Sequence, residues 1–246
     1  MKRSLFFILL SFVALFFIGC PSNEIAPSDK VDQSEIYQFY SVEYDASEKV
    51  LTAFAQFRFG GANGTTLSLT APSEVDFNDI KMPLEQGLLR GAFYELQIRE
   101  QFPETFLFRF TDSDEKVFEN TGIIIPVLPG EQPEAINTAY GISIEWQGAP
   151  VGDNEEISVN LMDHTGTSVK KTVSVKGATA IELAAGDMKS LVSGHGEMFF
   201  QRALSLHLEE ATPLGGQLSV LYKSASVGIE LLGRSSSEEV VDDNGS

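Results

Sequence analysis

The chain of 246 residues contains a single cysteine, Cys20, so it cannot form an internal disulfide bond. Small secreted domains commonly depend on disulfides because their cores are too small to stabilise them alone. About two hundred residues follow the N-terminal segment, which is enough for one large domain or two of ordinary size. We therefore expect the folded part to be stabilised by core packing alone.

Basic residues are also scarce. The chain has 17 lysines and arginines against 35 aspartates and glutamates, which gives a formal net charge of -18. The acidic residues are spread evenly over both halves, which is typical of a solvated surface rather than of one acidic site. A charge of this sign opposes binding to nucleic acid or to a bare anionic lipid surface, so neither is an expected partner.

Motifs for catalysis and metal binding are lacking. The chain has 3 histidines, and it contains neither the G-x-S-x-G of many serine hydrolases nor the H-E-x-x-H of zinc proteases. Two acidic turns, residues 112–115 and 152–156, offer carboxylates for calcium, but the first has Val117 where a calcium loop needs glycine. We interpret both as solvated turns, and we predict a protein without catalytic residues, metal or cofactor.

A long apolar run lies close to the N-terminus. Lys2 and Arg3 precede residues 5–18, which are apolar apart from Ser11. As a helix this run would be about 21 Å long, which is short for a hydrocarbon core of about 30 Å. A short basic start followed by an apolar run of this length predicts a secretory signal peptide over residues 1–19.

The apolar run ends in the sequence Phe17-Ile18-Gly19-Cys20. This ending resembles the lipobox of bacterial lipoproteins. The resemblance implies that Cys20 carries lipid, that the peptide is cut just before it, and that the protein is anchored to a membrane of the bacterial cell envelope. One acyl chain binds a membrane only marginally, at about 0.8 kcal/mol per buried methylene, so several chains on Cys20 would give stable anchoring.

Two polar segments flank the central part of the chain. Residues 20–35 contain two prolines and few apolar side chains, so they cannot bury enough surface to offset their chain entropy. They predict a flexible tether between the lipid and the folded part. Residues 234–246 are polar and charged, and they predict a disordered tail.

Between these segments, apolar and polar residues alternate with a period of two. The stretch FLFRF, for example, places Phe106, Phe108 and Phe110 on one side of a strand. Such alternation is typical of half-buried antiparallel strands, and turn signals about every ten residues are typical of β-sandwiches. Two prolines and a glycine in residues 127–135 predict a linker. The predicted fold is therefore all-β, with two tandem immunoglobulin-like sandwiches at residues 36–128 and 129–233.

Arg202 is an exception to the alternation. It shares parity with Phe200 and Leu204, so it would point into the second core. A buried guanidinium needs a carboxylate or several carbonyl groups as partners. Alternatively, a β-bulge would turn Arg202 outward, and the sequence leaves both possibilities open.

The outward face of the first domain combines aromatic and cationic residues. The parity of its strands places Phe54, Arg58, Phe93, Arg99 and Arg109 together on this face. Mixed aromatic and polar surfaces are typical of ligand and protein contacts. The sequence leaves three interpretations open, namely a binding surface, a contact with the second domain, and scattered exposure.

These features together predict a lipid-anchored envelope protein that acts as a non-catalytic binding or assembly module. Its partner would be an envelope protein or a glycan. One alternative is a glycan hydrolase, which would need two carboxyl groups about 5–10 Å apart in a cleft. The other alternative is a purely structural spacer.

Overall fold

The computed structural model describes residues 24–99, 102–131 and 135–233. The predicted signal peptide, the lipidation of Cys20 and the predicted disordered tail lie outside the described residues. Within the described ranges no helix has the length and apolar character needed to cross a membrane. The described residues form two short 3-10 helices, Ser28–Lys30 and Gln33–Glu35. All other regular structure is strand, which confirms the all-β class.

The strands follow one another closely along the chain. In the first half they are β1 (Ile25–Pro27), β2 (Ile36–Asp45), β3 (Val50–Phe59), β4 (Thr65–Ser68), β5 (Glu74–Phe77), β6 (Ile80–Lys81), β7 (Leu84–Gly87), β8 (Gly91–Arg99), β9 (Thr105–Thr111) and β10 (Val117–Ile123). In the second half they are β11 (Leu128–Pro129), β12 (Ala135–Asn137), β13 (Ile142–Gln147), β14 (Glu155–Asp163), β15 (Ser168–Val173), β16 (Ala180–Leu183), β17 (Gly194–His207), β18 (Gly216–Lys223) and β19 (Val227–Leu232).

One large sheet receives strands from both halves of the chain. Its main path is β1-β4-β3-β2-β18-β17-β14-β15, with β8 and β7 continuing from β3, and β19 and β12 continuing from β17. The two halves meet where β2 and β18 run parallel to each other along their lengths. Two smaller sheets have the orders β10-β9-β5-β6 and β11-β13-β16.

The four-stranded sheet packs on one face of the large sheet through aromatic residues. The Tyr40 ring of β2 stacks on Phe108 of β9 at 4.6 Å between ring centroids. In the same way Phe57 of β3 stacks on Phe110 of β9 at 4.3 Å. These four side chains are fully buried, so the alternation that the sequence shows in β9 is the core-facing pattern of this sheet.

The three-stranded sheet packs on that same face. Register across β2, β18, β17 and β14 places Val159 and Phe200 on the side of the large sheet that Tyr40 occupies. Both residues share one continuous core with Ile144 and Leu183 of the three-stranded sheet. The two small sheets therefore lie side by side on one face of the large sheet, and neither packs on the opposite face.

This arrangement does not confirm the predicted division into two domains. The strands of the two small sheets come from different halves of the chain, although the predicted boundary after residue 128 falls inside β11. However, the β2–β18 pairing joins both halves into one sheet over a single buried core. A β-sandwich is confirmed, but two separate immunoglobulin-like domains are not, because local alternation carries no information on a pairing between strands so far apart in sequence.

Residues 24–35 also differ from the predicted tether. Strand β1 pairs in parallel with β4, and Ser28 is fully buried. The hydroxyl of Ser28 accepts a hydrogen bond from Thr70 N at 2.9 Å, and Gln33 Nε2 donates to Ser28 O at 2.8 Å. Hydrogen bonds to the body of the protein hold this polar segment, so it needs little apolar burial of its own.

Arg202 points into the core, as its parity predicts, and only 3% of it is exposed. Its Nη1 lies 3.4 Å from Glu155 Oε2, and its Nη2 donates to the carbonyl oxygen of Ala149. Glu155 Oε2 also accepts from Gly152 N at 2.8 Å. The guanidinium therefore has a carboxylate and a carbonyl as partners, while its Nε is buried without a hydrogen-bond partner among the described residues. The β-bulge alternative is wrong.

Candidate ligand-binding face

The face of the large sheet opposite the core is called the open face here. Register between β8, β3, β2, β18 and β17 places alternate residues of each strand on it. Its members on these five strands include Phe93, Glu95, Gln97, Arg99, Thr52, Phe54, Gln56, Arg58, Phe39, Ser41, Glu43, Gln217, Ser219, Leu221, Lys223, Gln201, Ala203, Ser205 and His207.

A cross-strand row runs over the middle of the open face. The register aligns Glu95, Phe54, Ser41, Ser219 and Ser205, one residue from each of five adjacent strands. Neighbouring strands lie about 4.8 Å apart, so the row is about 20 Å long. After its acidic first residue, the row offers one aromatic ring followed by three hydroxyl groups.

Uncharged hydrogen-bonding groups continue beside this row. Gln217 Nε2 donates to Ser205 Oγ at 2.6 Å. Asn160 Nδ2 lies 3.4 Å from Gln201 Oε1 further along the sheet. Ser205 and His207 are exposed, while Gln217 and Gln201 are half-buried. Hydroxyl and amide groups both donate and accept hydrogen bonds, so this part of the face can bind a polar, uncharged ligand.

An aromatic cluster occupies the β3–β8 side of the open face. The rings of Phe54 and Phe93 stack at 5.5 Å, and Phe39 meets Phe54 edge-on at 6.0 Å. The Arg90 guanidinium lies over both stacked rings, 4.6 Å from the centroid of Phe93 and 5.0 Å from that of Phe54. Cation and rings thus form one layered group, and Phe93 beneath Arg90 is only 8% exposed.

Arg58 is tied into the sheet beside this cluster. Gln56 Oε1 accepts from Arg58 Nη2 at 2.8 Å and from its Nε at 3.0 Å, and Arg58 Nη1 donates to Gly64 O. The Gln56 amide in turn donates to the carbonyl oxygens of Arg90 and Ala92. Burial lowers the pKa of Arg58 from its usual value. Arg58 therefore braces the aromatic cluster and has few donors left for a ligand.

Arg99 lies at the other end of the same face, in a shallow groove of about 280 Å³. The groove is lined by Glu43, Asp45, Glu48, Val50, Thr52, Gln97 and Arg99. Burial would raise the pKa of Asp45, but hydrogen bonds from Lys223 and from the backbone of Glu48 and Ser47 outweigh burial and lower it. Asp45 is thus held ionised, with Lys223 Nζ at 2.8 Å.

Arg109 does not belong to this face, contrary to the sequence prediction. It lies on β9 of the four-stranded sheet, where its neighbours Phe108 and Phe110 point into the core. Its guanidinium pairs with Asp79 at 2.7 Å and with Glu119 at 2.8 Å, on the outer side of that sheet. Parity alone assigns a residue to one side of its own strand, and it cannot say which sheet the strand joins.

The structure brings together Phe54, Arg58 and Phe93, and it places Arg99 further along the same face. Sequence reasoning missed Arg90, which completes the aromatic cluster from the turn before β8. The signal available was the short stretch GLLRG, residues 87–91, in which an arginine and two leucines stand between glycines. Among the described residues, no group of three or more His, Cys, Asp or Glu side chains is placed to hold a metal ion.

No protein-family model matches the chain, and no curated protein matches it in sequence. Among solved structures, it is similar to SGBP-B of the Bacteroides ovatus mixed-linkage glucan utilization locus, solved with a mixed-linkage heptasaccharide, at 11% identity and a TM-score of 0.25. That similarity covers 75% of this chain and 54% of the other.

Two adhesin structures are similar to a comparable extent. One concerns host cell surface retention of a 1.5-MDa bacterial ice-binding adhesin, at 10% identity and a TM-score of 0.23, covering 80% of this chain and 65% of that one. The other is a tetra-tandem repeat from the extending region of a large adhesion protein, at 15% identity and a TM-score of 0.23, covering 78% and 49%. This chain thus spans about half to two thirds of each solved chain, and similarities of this size do not establish a shared function.

Proposed function

We propose that this protein is a non-catalytic binding module of the bacterial cell envelope, held by lipid on Cys20, and that its open face binds a neutral glycan chain. The observation that carries the proposal is the row from Phe54 through Ser41 and Ser219 to Ser205, on a face that neither small sheet covers. From Phe54 to Ser205 the row is about 14 Å long, which suits a stretch of an extended polymer.

The chemistry of the row favours an uncharged, hydroxyl-rich ligand over the alternatives. Hydroxyl and amide groups on the protein match the hydroxyl groups of a glycan as donors and acceptors. A polyanion is disfavoured by the net charge of -18. A protein partner would be expected to bury a more apolar centre than three serines provide.

The hydrolase alternative has less support from the groove beside Arg99. Although three carboxylates line that groove, a glycosidase needs one carboxyl group that stays protonated to act as the acid. Asp45 has a lowered pKa and is paired with Lys223. Asp45 is therefore suited to remain ionised and not to act as that acid, and the binding role has the row of the open face in its support.

A matched pair of substitutions tests the glycan site. Ser219→Arg places a bulky cation in the middle of the row, whereas Ser143→Arg places the same side chain on an exposed strand position of the three-stranded sheet. Binding is measured by affinity electrophoresis of the native protein in gels containing single neutral polysaccharides. We expect at least one polysaccharide to retard the wild type, and Ser219→Arg to weaken its binding by about tenfold or more, equivalent to 1.4 kcal/mol.

Ser143→Arg is expected to bind like the wild type, because its substitution lies away from the open face. Equal retardation of both variants would move the site off the open face. An absence of retardation by any neutral polysaccharide, combined with capture of an envelope protein that Ser219→Arg abolishes, would replace the glycan by a protein partner.

The lipid anchor is tested separately. Intact-mass measurement of the mature protein should show a chain that begins at Cys20 and carries acyl groups. Cys20→Ala should leave an uncleaved or unlipidated protein. A mature chain without lipid on Cys20 would disprove the anchor and leave the glycan site to stand on its own test.

A further inference from the structure

The β7–β8 hairpin ends in an unusually apolar turn. Leu88 and Leu89 occupy its centre and are 91% and 84% exposed. Arg90 N closes the turn by donating to Gly87 O at 3.2 Å. Central turn positions usually carry glycine, proline, asparagine, aspartate or serine, so two leucines there are unusual. Two fully presented leucines therefore point to an apolar contact outside the folded body.

The same end of the molecule holds the first described residue after the lipidation site. Thr66 Oγ1 accepts a hydrogen bond from Ala92 N at 3.1 Å and donates to Glu24 O at 2.9 Å. Ala92, at the base of the turn, and Glu24 are thus joined through one hydroxyl group. Gly91 fits here with φ +67°, because a Cβ atom at this position would lie 2.2 Å from Thr66 Oγ1.

The lipid itself cannot be far from this turn. Glu24 is four residues after Cys20, and four residues span at most about 14 Å even when fully extended. Since residues 24–35 are bound to the body, they cannot lengthen the connection. A chain anchored through Cys20 therefore keeps this end of the large sheet within reach of the bilayer surface that holds the lipid.

We propose that Leu88 and Leu89 insert into the bilayer interface beside the lipid on Cys20 and fix the orientation of the protein on the membrane. This inference rests on the lipid anchor of the proposed function. Leucine side chains enter the boundary between headgroups and acyl chains, and a nearby arginine keeps its charge at headgroup level. Arg90 is in this position, with a side chain that is 58% exposed.

The charge distribution confines the contact to this end. The acidic body is repelled by anionic lipid, so it does not lie flat on the membrane. Arg90 provides a cation next to the turn, with Glu95 Oε2 3.9 Å from its Nη1, at the β3–β8 end of the open face. Insertion of the turn would hold the strands of the large sheet roughly perpendicular to the membrane. The open face would then not face the bilayer and would be accessible to a glycan.

The test uses the purified lipidated protein in vesicles of phosphatidylethanolamine and phosphatidylglycerol. Because Cys20 is the chain's one cysteine, a cysteine introduced elsewhere is the single thiol free for labelling. Leu89→Cys is labelled with an environment-sensitive fluorophore. The matched control is Ser47→Cys, an exposed position in the β2–β3 turn at the opposite end of the same sheet.

We expect a blue-shifted emission at position 89 that nitroxide lipids quench, and an emission at position 47 that stays as in water. Adding Leu88→Ser should reduce the shift and the quenching at position 89. Water-like emission at position 89 in a protein whose mass confirms the lipid would overturn this inference alone. A blue shift without quenching by nitroxide lipids would mean burial against another copy of the chain, and would overturn it too.

Intact mass on the same sample separates the two proposals. A chain without lipid on Cys20 removes the anchor and this inference with it, whereas the glycan test on the open face remains unaffected.

Discussion

Removing the carboxylate beside Arg202 should be among the most damaging single substitutions in this protein. The side chains of Arg202 and Glu155 are 2% and 6% exposed, and their closest atoms are 3.4 Å apart. Glu155→Gln keeps the shape but leaves the guanidinium charge buried without its counter-ion. Breaking a buried pair in this way costs about 3–5 kcal/mol, which is a large part of the total stability of an ordinary domain.

The same loop provides a matched control. Asp153 pairs with Lys176 at 2.6 Å, but both side chains are about 70% exposed. Exposed pairs contribute about 0–1 kcal/mol, so Asp153→Asn should change stability little. The double variant Glu155→Leu with Arg202→Met removes both charges, and it should recover most of the loss because apolar replacement of a buried pair is often neutral or stabilising.

Urea unfolding of the chain from residue 21 onward, followed by tryptophan fluorescence, measures these differences. The protein's one tryptophan, Trp146, donates its Nε1–H to the carbonyl oxygen of Ala149, which also accepts from Arg202. The probe therefore lies at the site itself. If Glu155→Gln lowered the unfolding free energy by no more than Asp153→Asn does, the reasoning about an uncompensated buried charge would be wrong.

Two further predictions concern other buried polar groups. Hydrogen bonds from the Thr165 hydroxyl and from the backbone N–H of Val192 lower the pKa of Asp163 to about 2. The ionised carboxylate of Asp163 should therefore stabilise the fold fully at pH values above its ordinary pKa of 3.8. This stabilisation should be lost as the pH falls toward 2. Asp163→Asn should therefore flatten the dependence of the urea midpoint on pH between 4 and 2, and an unchanged slope would count against it. Ser28→Ala leaves the N–H of Thr70 without its acceptor, which should cost about 1–3 kcal/mol and speed native-state proteolysis within residues 24–35. The exposed Ser34→Ala is the control, and equal proteolysis of the two variants would contradict the account of this segment.

How far sequence reasoning reached is clearest on the open face. The alternation in β3 and β8 placed Phe54, Phe93 and Arg99 on one side of their strands, and the structure agrees. For Arg202 the same parity indicated the core but left an outward β-bulge open, and the structure decided for the core. In each case the outcome depends on the side of a strand that a residue occupies, and this is a local property fixed by a period of two.

By itself the sequence determined the strand class, the side of its strand on which most residues lie, and the expectation of an export signal that ends just before Cys20. Only the tertiary structure decided which strands are neighbours. This choice of neighbours accounts for three findings: the β2–β18 pairing, the position of Arg109 on the four-stranded sheet, and the attachment of residues 24–35 to β4. These contacts join residues that are distant in the chain. They are stabilised by burial and hydrogen bonds that form only on folding, so a local pattern of residues cannot predict them.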